Sequence, residues 1–486
     1  MGIVLNQSFK NTIVLFLGFT IGGINTLFLY TNFLQDDYYG LITFLLSTAN
    51  IILPLLVFGM QHTIIKFFSA YKTKLEQDEF LTSALFLPIL VIIPLGIVGV
   101  LTYEFIADWL SQENIIIKKY TYLIFLVAIF MGYFEVFYAW SKIRMQSVFG
   151  NFIKEIFARI SATLLLLAVY FELITEIEFI YAIVIVYFIR VLVMMIYAFS
   201  IYKPTFVFKL PTNFKGILSY SFYIIMAGSA AGILLEIDKF MIPQFKQIAQ
   251  VAYYSVGIYI ASVIGIPSRA MQQIINPITA KELNANNLDE VENLYKKSSI
   301  NLLVAGGLLF LLINLNVKDL YILIDKPQFS MGVLIVLLIS ISELYKLALG
   351  TNGAILTNSK YYKMFFYFSV GMAVSVIFLN KWLIGMLGID GAALATLIVV
   401  FVFSTIKIVY IQNKLNMQPF TIKTIIVLLL VSSLFFGFYF WNFSFHPIVN
   451  ILLKTVIISV IYAFAILKLN ISSDIQEVLR KYKLPF

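Results

Sequence analysis

The chain has 486 residues, 61% of them hydrophobic and only 12% charged, with a net charge of +9 and no cysteine. A soluble chain carries about 25% charged residues to cover its surface, so the composition excludes a large soluble protein and places most of this one in lipid. The missing cysteines exclude disulfides and thiolate metal or redox chemistry, and the two histidines, His62 and His446, stand too far apart for a local metal motif.

Lys10 precedes an apolar run from Thr12 to Tyr30. The run is longer than a signal-peptide core and lacks a clear small-residue cleavage site, so it reads as a retained first transmembrane helix. About twenty apolar residues cross the hydrocarbon core, and on that basis fourteen spans are predicted. Six lie near 12–30, 39–60, 81–103, 120–141, 152–171 and 179–201. Six more lie near 217–240, 251–270, 298–316, 331–350, 361–380 and 390–411, and two near 423–441 and 448–467. Lysine and arginine concentrate in the connections on one side, among them Lys66, Lys72, Lys142, Arg144, Lys203, Arg269 and Lys281, which makes that side and both termini cytoplasmic. The positive balance then reports topology and attraction to anionic lipid, and nucleic acid is not an expected partner. In the connection before the ninth span, Leu288, Val291 and Leu294 recur at helical spacing. They read either as a short helix lying on the membrane or as a solvated connector.

The first and seventh spans share features in order. Gly18 and Gly22 form G-x-x-x-G in one, Gly228 and Gly232 in the other, a spacing that lets helices approach closely. Each is followed by a tyrosine pair opening the next span, Tyr38-Tyr39 and Tyr253-Tyr254. Each of those next spans holds a proline, Pro54 and Pro267. Together they indicate an internal repeat of two six-helix halves: a lobe of residues 1–202, a lobe of residues 203–416, and two additional helices with a cytoplasmic tail in 417–486. Repeated halves around a midplane site are a transporter architecture.

At these stretches the chain resembles a known group. "LLEIDKFMIPQF" (Leu234–Phe245) and "VAYYSVGIYIASVIGIPSRAMQQIINPITAKEL" (Val251–Leu283) look like the seventh and eighth spans of polysaccharide flippases. These form part of the multidrug/oligosaccharidyl-lipid/polysaccharide (MOP) exporter superfamily. "LGIDGAALAT" (Leu387–Thr396) is similar to the start of the twelfth span, and "YYGLITFLLSTANIILPLLVFGM" (Tyr38–Met60) fits the second. The resemblance, to flippases of the O-antigen type, implies an all-α polytopic membrane protein with a two-lobed, MATE-like bundle that alternates access to a central cavity. It implies translocation of an undecaprenyl-diphosphate-linked oligosaccharide across the bacterial cytoplasmic membrane. It also implies contact with membrane lipids and with polysaccharide-assembly proteins, a proton or sodium ion as coupling ion, and no cofactor.

Charges inside spans are the candidate functional residues, because each is costly in lipid unless it faces a cavity or a partner. Arg190 lies midway along "YAIVIVYFIRVLVMMIYAF" (Tyr181–Phe199) with no acid within four residues. Its planar fork suits a diphosphate, which makes it the first substrate-binding candidate. Glu135 and Arg159 fall at similar depths on consecutive antiparallel spans and are expected to meet. Arg159 joins the substrate-binding candidates, and Glu135 the coupling candidates. Glu236, Asp238 and Lys239 come after about 30 Å of helix from Lys215, near the outer interface. Glu236 and Lys239 can pair at i, i+3, while Asp238 points elsewhere. Asp238 and Lys239 are substrate-binding candidates, Glu236 a coupling candidate. Glu343 and Lys346 repeat the i, i+3 spacing in the tenth span, as coupling and substrate-binding candidates respectively. Asp36 and Asp37 read as helix caps, and Lys454 as a lysine that snorkels to the interface.

Two other functions are weighed. A drug or cation antiporter of the same superfamily commonly uses an acid in the first helix, but "TIVLFLGFTIGGINTLFLY" (Thr12–Tyr30) has none, only Asn25. The charged residues that mark lipid II flippases in that span are missing too. A membrane-embedded polysaccharide polymerase or ligase needs a large external loop with catalytic residues. No P-loop glycine-lysine motif and no nucleophile–base cluster is present, so the chain is not expected to be an enzyme.

Overall fold

A computed structural model describes residues 2–441, 444–472 and 474, so most of the expected cytoplasmic tail lies outside the described residues. Among these residues every regular element is a helix. Fourteen helices match the expected spans in order. They are α1 (Lys10–Phe33), α2 (Asp36–Leu56), α3 (Lys74–Leu101) and α4 (Ile116–Lys142). Then come α5 (Val148–Phe152, Ile153–Phe157 and Ala158–Tyr170), α6 (Glu176–Ile201) and α7 (Phe214–Met241). The remainder are α8 (Ala249–Arg269), α9 (Leu288–Ile324), α10 (Pro327–Ala348), α11 (Tyr362–Leu387), α12 (Ile389–Leu415), α13 (Ile422–Tyr439) and α14 (Pro447–Lys468). Twelve are single helices long and apolar enough to cross a membrane. Helix α7, bent by 48° between Phe214–Ala230 and Gly232–Gln244, makes a thirteenth when its halves are one span. Helix α5 is interrupted in apolarity by Lys154, Glu155 and Arg159.

Local chemistry sets several helix starts. Thr73 accepts the Glu76 backbone N–H at 3.2 Å, and the Glu76 carboxylate accepts the Thr73 N–H at 3.1 Å. Thr175 and Glu178 make the same reciprocal box at α6, at 3.2 and 2.7 Å. Asp36 and Asp37 occupy the first turn of α2, where they complement the helix dipole. The capping position itself belongs to Gln35, whose own side chain makes no capping hydrogen bond, which corrects the expected capping role.

The chain packs as two compact units, Met1–Ala252 and Tyr253–Phe486. In the first, α4 is central, packed between α2 and α6, and Tyr120, Val127, Phe134 and Trp140 along it are buried. Helix α2 ends beyond Pro54 in two left-handed residues, Phe58 (φ 49°) and Gly59 (φ 63°), before the short helix Met60–Phe67. A Cβ at Gly59 would lie 2.5 Å from Ile224 Cγ2, so glycine is required there for both conformation and approach. Helix α7 packs along α2, with Phe44 stacked on Phe240 at 6.0 Å and the buried Thr63 and Ser221 hydroxyls 2.9 Å apart. The two G-x-x-x-G motifs do not act alike. Gly18 is a close approach, but a Cβ at Gly228 would meet nothing within 4 Å and one at Gly232 only Asn50 O at 3.8 Å.

The second unit is organised on α9. Its 37 residues extend about 55 Å at 1.5 Å per residue, well beyond the roughly 30 Å hydrocarbon layer. The segment with Leu288, Val291 and Leu294 is the projecting start of this helix. It is neither a separate surface helix nor an irregular connector, because Val291 and Tyr295 are buried against Ile355, Leu356 and Ile411. Helices α13 and α14 pack on α9, where Val431 and Tyr462 approach Gly307 so closely that a Cβ would meet them at 2.8 and 2.7 Å. Lys454 of α14 does not snorkel. Its ammonium is buried and bonds Asp319 Oδ2 of α9 at 3.0 Å, while Asn450 Nδ2 donates to Asp319 Oδ1 at 3.2 Å.

Candidate functional site

The charges of the first unit gather where α1, α4, α5 and α6 meet. Helices α1 and α5 each contain a π-turn, Asn25–Leu29 and Ile153–Phe157. A π-turn adds one residue to the helix and so rotates the succeeding residues by about 100° relative to an unbroken 3.6-residue turn. That rotation decides which partners α5 presents. Lys154, within the π-turn, reaches α4 and bonds Glu135 Oε1 at 2.6 Å. Arg159, after it, turns to α1 and pairs with Glu155 Oε2 of its own helix at 2.6 Å. The expected Glu135–Arg159 pair is therefore replaced by two others.

Gly18 makes room for this arrangement. A Cβ there would lie 2.8 Å from Arg159 Nη1 and 2.9 Å from Glu155 O. Two turns further along α1, buried Asn25 donates Nδ2 to Arg159 O at 2.8 Å and accepts Thr163 Oγ1 at 2.8 Å. The two π-turned helices are thus clasped by a neutral amide where a first-helix acid was sought and not found.

Arg190 completes the group from α6. It is 7% exposed and lies over the Phe134 ring, with its guanidinium carbon 3.9 Å from the ring centroid and 5.5 Å from that of Tyr187. Its Nε is buried without a hydrogen-bond partner, and no carboxylate is within ion-pair distance among the described residues. Stacking on a ring is worth about 2 kcal/mol when desolvated. The effective desolvation penalty is several kcal/mol per buried ion. The balance leaves a cation that an anionic ligand would stabilise. Lys142, half-buried with its ammonium 3.7 Å from the Tyr138 centroid, adds to the excess of cations over Glu135 and Glu155.

The other sequence candidates lie elsewhere. Glu236 and Lys239 form their expected i, i+3 pair near the end of α7, and Asp238 is buried on another face of that helix. In the second unit Glu343 and Lys346 pair as expected on α10, and Gly265, in the break of α8, leaves the Glu343 carboxylate 3.0 Å from where its Cβ would be. Lys407 of α12 was not singled out from the sequence. Its ammonium contacts Met372 Sδ at 3.5 Å and lies 5.5 Å from the Phe365 centroid, with no acid paired to it among the described residues. Lys154, Glu155, Asn25 and Thr163 were also missed as partners. The i, i+4 spacing of Glu155 and Arg159, acid first, was the available signal.

A family described as "Polysaccharide biosynthesis protein" matches residues 8–281, more than half of the chain. No curated protein matches the chain by sequence. Among solved structures, the fold is similar to that of the lipid II flippase MurJ in an inward closed conformation, with a TM-score of 0.74 at 14% identity. That alignment covers 93% of this chain and 97% of the other. It is also similar to an inward-facing multidrug resistance MATE family transporter of the MOP superfamily, with a TM-score of 0.59 at 13% identity, covering 83% and 94%. A MOP superfamily transporter from Pyrococcus furiosus aligns with a TM-score of 0.54 at 10% identity, covering 84% and 95%. The missing first-span charges pointed away from the lipid II flippase, yet the fold is more like that protein than like the MATE transporters. The chain belongs to the polysaccharide biosynthesis protein family and is a multi-pass membrane protein whose fold is similar to that of MOP superfamily transporters and the lipid II flippase.

Proposed function

We propose that this protein flips an undecaprenyl-diphosphate-linked oligosaccharide across the bacterial cytoplasmic membrane during surface polysaccharide assembly. The physical problem is to carry a charged, hydrated headgroup through a low-dielectric layer while the polyprenyl tail stays in lipid. The observation that carries the reading is Arg190: a cation at mid-span, buried and lacking an ion-pair partner, beside an excess of cations. Its guanidinium would take the diphosphate, with Arg159 next to it. Lys346, Asp238 and Lys239 are further candidates for substrate contact along the path. Glu135, Glu236 and Glu343 are the candidates for coupling to a proton or sodium gradient. The lobes of residues 1–202 and 203–416 are the proposed moving bodies, and the contact between α2 and α7 would then join them.

The test is reconstitution. Purified protein in vesicles should accelerate movement of a labelled undecaprenyl-diphosphate oligosaccharide between leaflets, measured by its accessibility to an added glycosidase, with proton and sodium gradients imposed in turn. Uptake of a cationic dye without lipid movement would replace this reading with the drug-antiporter one. Orientation is tested separately. The chain has no native cysteine, so single cysteines report cleanly. One at exposed Gln112 should react with an impermeant reagent in intact cells, and one at exposed Asn213 only after permeabilisation. The reverse pattern would invert the proposed topology.

A further inference from the structure

The first unit contains a cavity of about 730 Å³ between α2, α3, α4, α7 and the short helix Tyr103–Leu110. Its walls include Ile52, Gly96, Gly99, Trp109, Phe125 and Phe240, and nearly all of the lining is apolar. The volume is that of a site for an organic ligand, and walls this apolar do not retain water. Two glycines of α3 open it. A Cβ at Gly99 would meet nothing within 4 Å, and one at Gly96 would meet only the Phe125 ring, at 3.5 Å.

Depth and charge narrow the occupant. Gly96–Val100 are the last residues of α3, and Thr121–Leu126 lie in the second and third turns of α4. The α3 and α4 walls thus fall within about 15 Å of these helix ends, and Ile52, sixteen residues into α2, extends the groove to about 24 Å. The short helix at its mouth has exposed Phe105 and Trp109, side chains that settle at a membrane interface. Its Glu104 and Asp108 both hold Lys118, at 3.3 and 2.5 Å, and Glu104 also lines the cavity. With the adjacent Lys119, two carboxylates and two ammoniums make the mouth neutral but dipolar. The carboxylates attract a headgroup ammonium, while Lys119, outside those ion pairs, can meet a single phosphate, which matches a zwitterionic headgroup.

We propose that this groove is a binding site for one phospholipid with an ammonium-bearing headgroup, such as phosphatidylethanolamine, its acyl chain lying between α3 and α4. The site is separate from the Arg190 cluster and does not depend on what the protein transports. The full chain, purified and progressively delipidated, is examined by native mass spectrometry with phosphatidylethanolamine, phosphatidylglycerol or a polyprenyl phosphate added back. One phosphatidylethanolamine should persist per chain, and Gly99→Phe, which fills the open space, should weaken its binding at least tenfold. Glu104→Gln with Asp108→Asn should remove the preference over phosphatidylglycerol. Unchanged retention in Gly99→Phe, or equal binding of all three lipids to wild type, would overturn the proposal. Should Gly99→Phe misfold, wild type still decides the matter. Phosphatidylethanolamine brominated in its acyl chain should quench a tryptophan signal that Trp109→Phe removes. Equal quenching in that variant would place the lipid elsewhere.

Discussion

Replacing Arg190 with alanine is expected to reduce surface polysaccharide export to background while the protein stays in the membrane near its normal level. The substitution removes the stacking on Phe134, about 2 kcal/mol, but it also removes a buried cation with no ion-pair partner, so the two changes in stability oppose each other. The loss falls instead on ligand binding. Hydrogen bonds to a charged group contribute about 1.5–3 kcal/mol each, and every 1.4 kcal/mol is tenfold in affinity. Loss of one or two of them should therefore weaken headgroup binding by about tenfold to about twenty-thousandfold. Arg190→Lys keeps the charge without the fork and should retain partial export. Arg190→Glu should be the most damaging, because it repels the diphosphate. The assay is export in a cell lacking its own flippase, with the protein quantified alongside. Full export by the alanine variant would remove Arg190 from the mechanism, and loss of the protein would make its role structural.

Lys454→Ala should have the largest effect on stability. Removing one member of a buried ion pair costs about 3–5 kcal/mol because the other charge is left alone in a low-dielectric interior. Here the abandoned group is Asp319, which among the described residues would keep its side-chain bond from Asn450 alone. Helix α14 should detach from α9, seen as a lower melting temperature in detergent and a reduced amount of protein in the membrane. Lys454→Met combined with Asp319→Leu removes both charges at similar volume and should recover most of the loss. A stable single variant, or a double variant no better than the single, would show that the pair does not hold the helix.

The spans and their order were legible because lipid imposes a strong rule, apolar runs of about twenty residues; twelve of the fourteen, or thirteen with the bent α7, are long and apolar enough to cross a membrane. The i, i+3 pairs Glu236–Lys239 and Glu343–Lys346 were legible because they depend only on local helix geometry. Phase and long-range partnership were not. The Glu135–Arg159 expectation assumed an unbroken helix, and the π-turn at Ile153–Phe157 gave Glu135 to Lys154 instead. Lys454 looked like a snorkelling residue because Asp319, its partner, lies more than a hundred residues away. The surface helix around Leu288 was misplaced for a related reason: polarity marks where a span leaves lipid, not where its helix ends.

The isolation of Arg190 also bears on electrical work. A charge crossing the whole membrane potential exchanges about 2.3 kcal/mol per 100 mV, whereas the neutral Asp319–Lys454 couple exchanges none when it moves as a unit. If switching carries Arg190 through half of the field, the empty protein is biased by about 1 kcal/mol at 100 mV. A bound diphosphate, with two negative charges, would offset the excess of cations around Arg190 and remove that bias. The empty form would then be driven by the voltage and the loaded form would not, so a resting potential alone would favour one direction of the transport cycle.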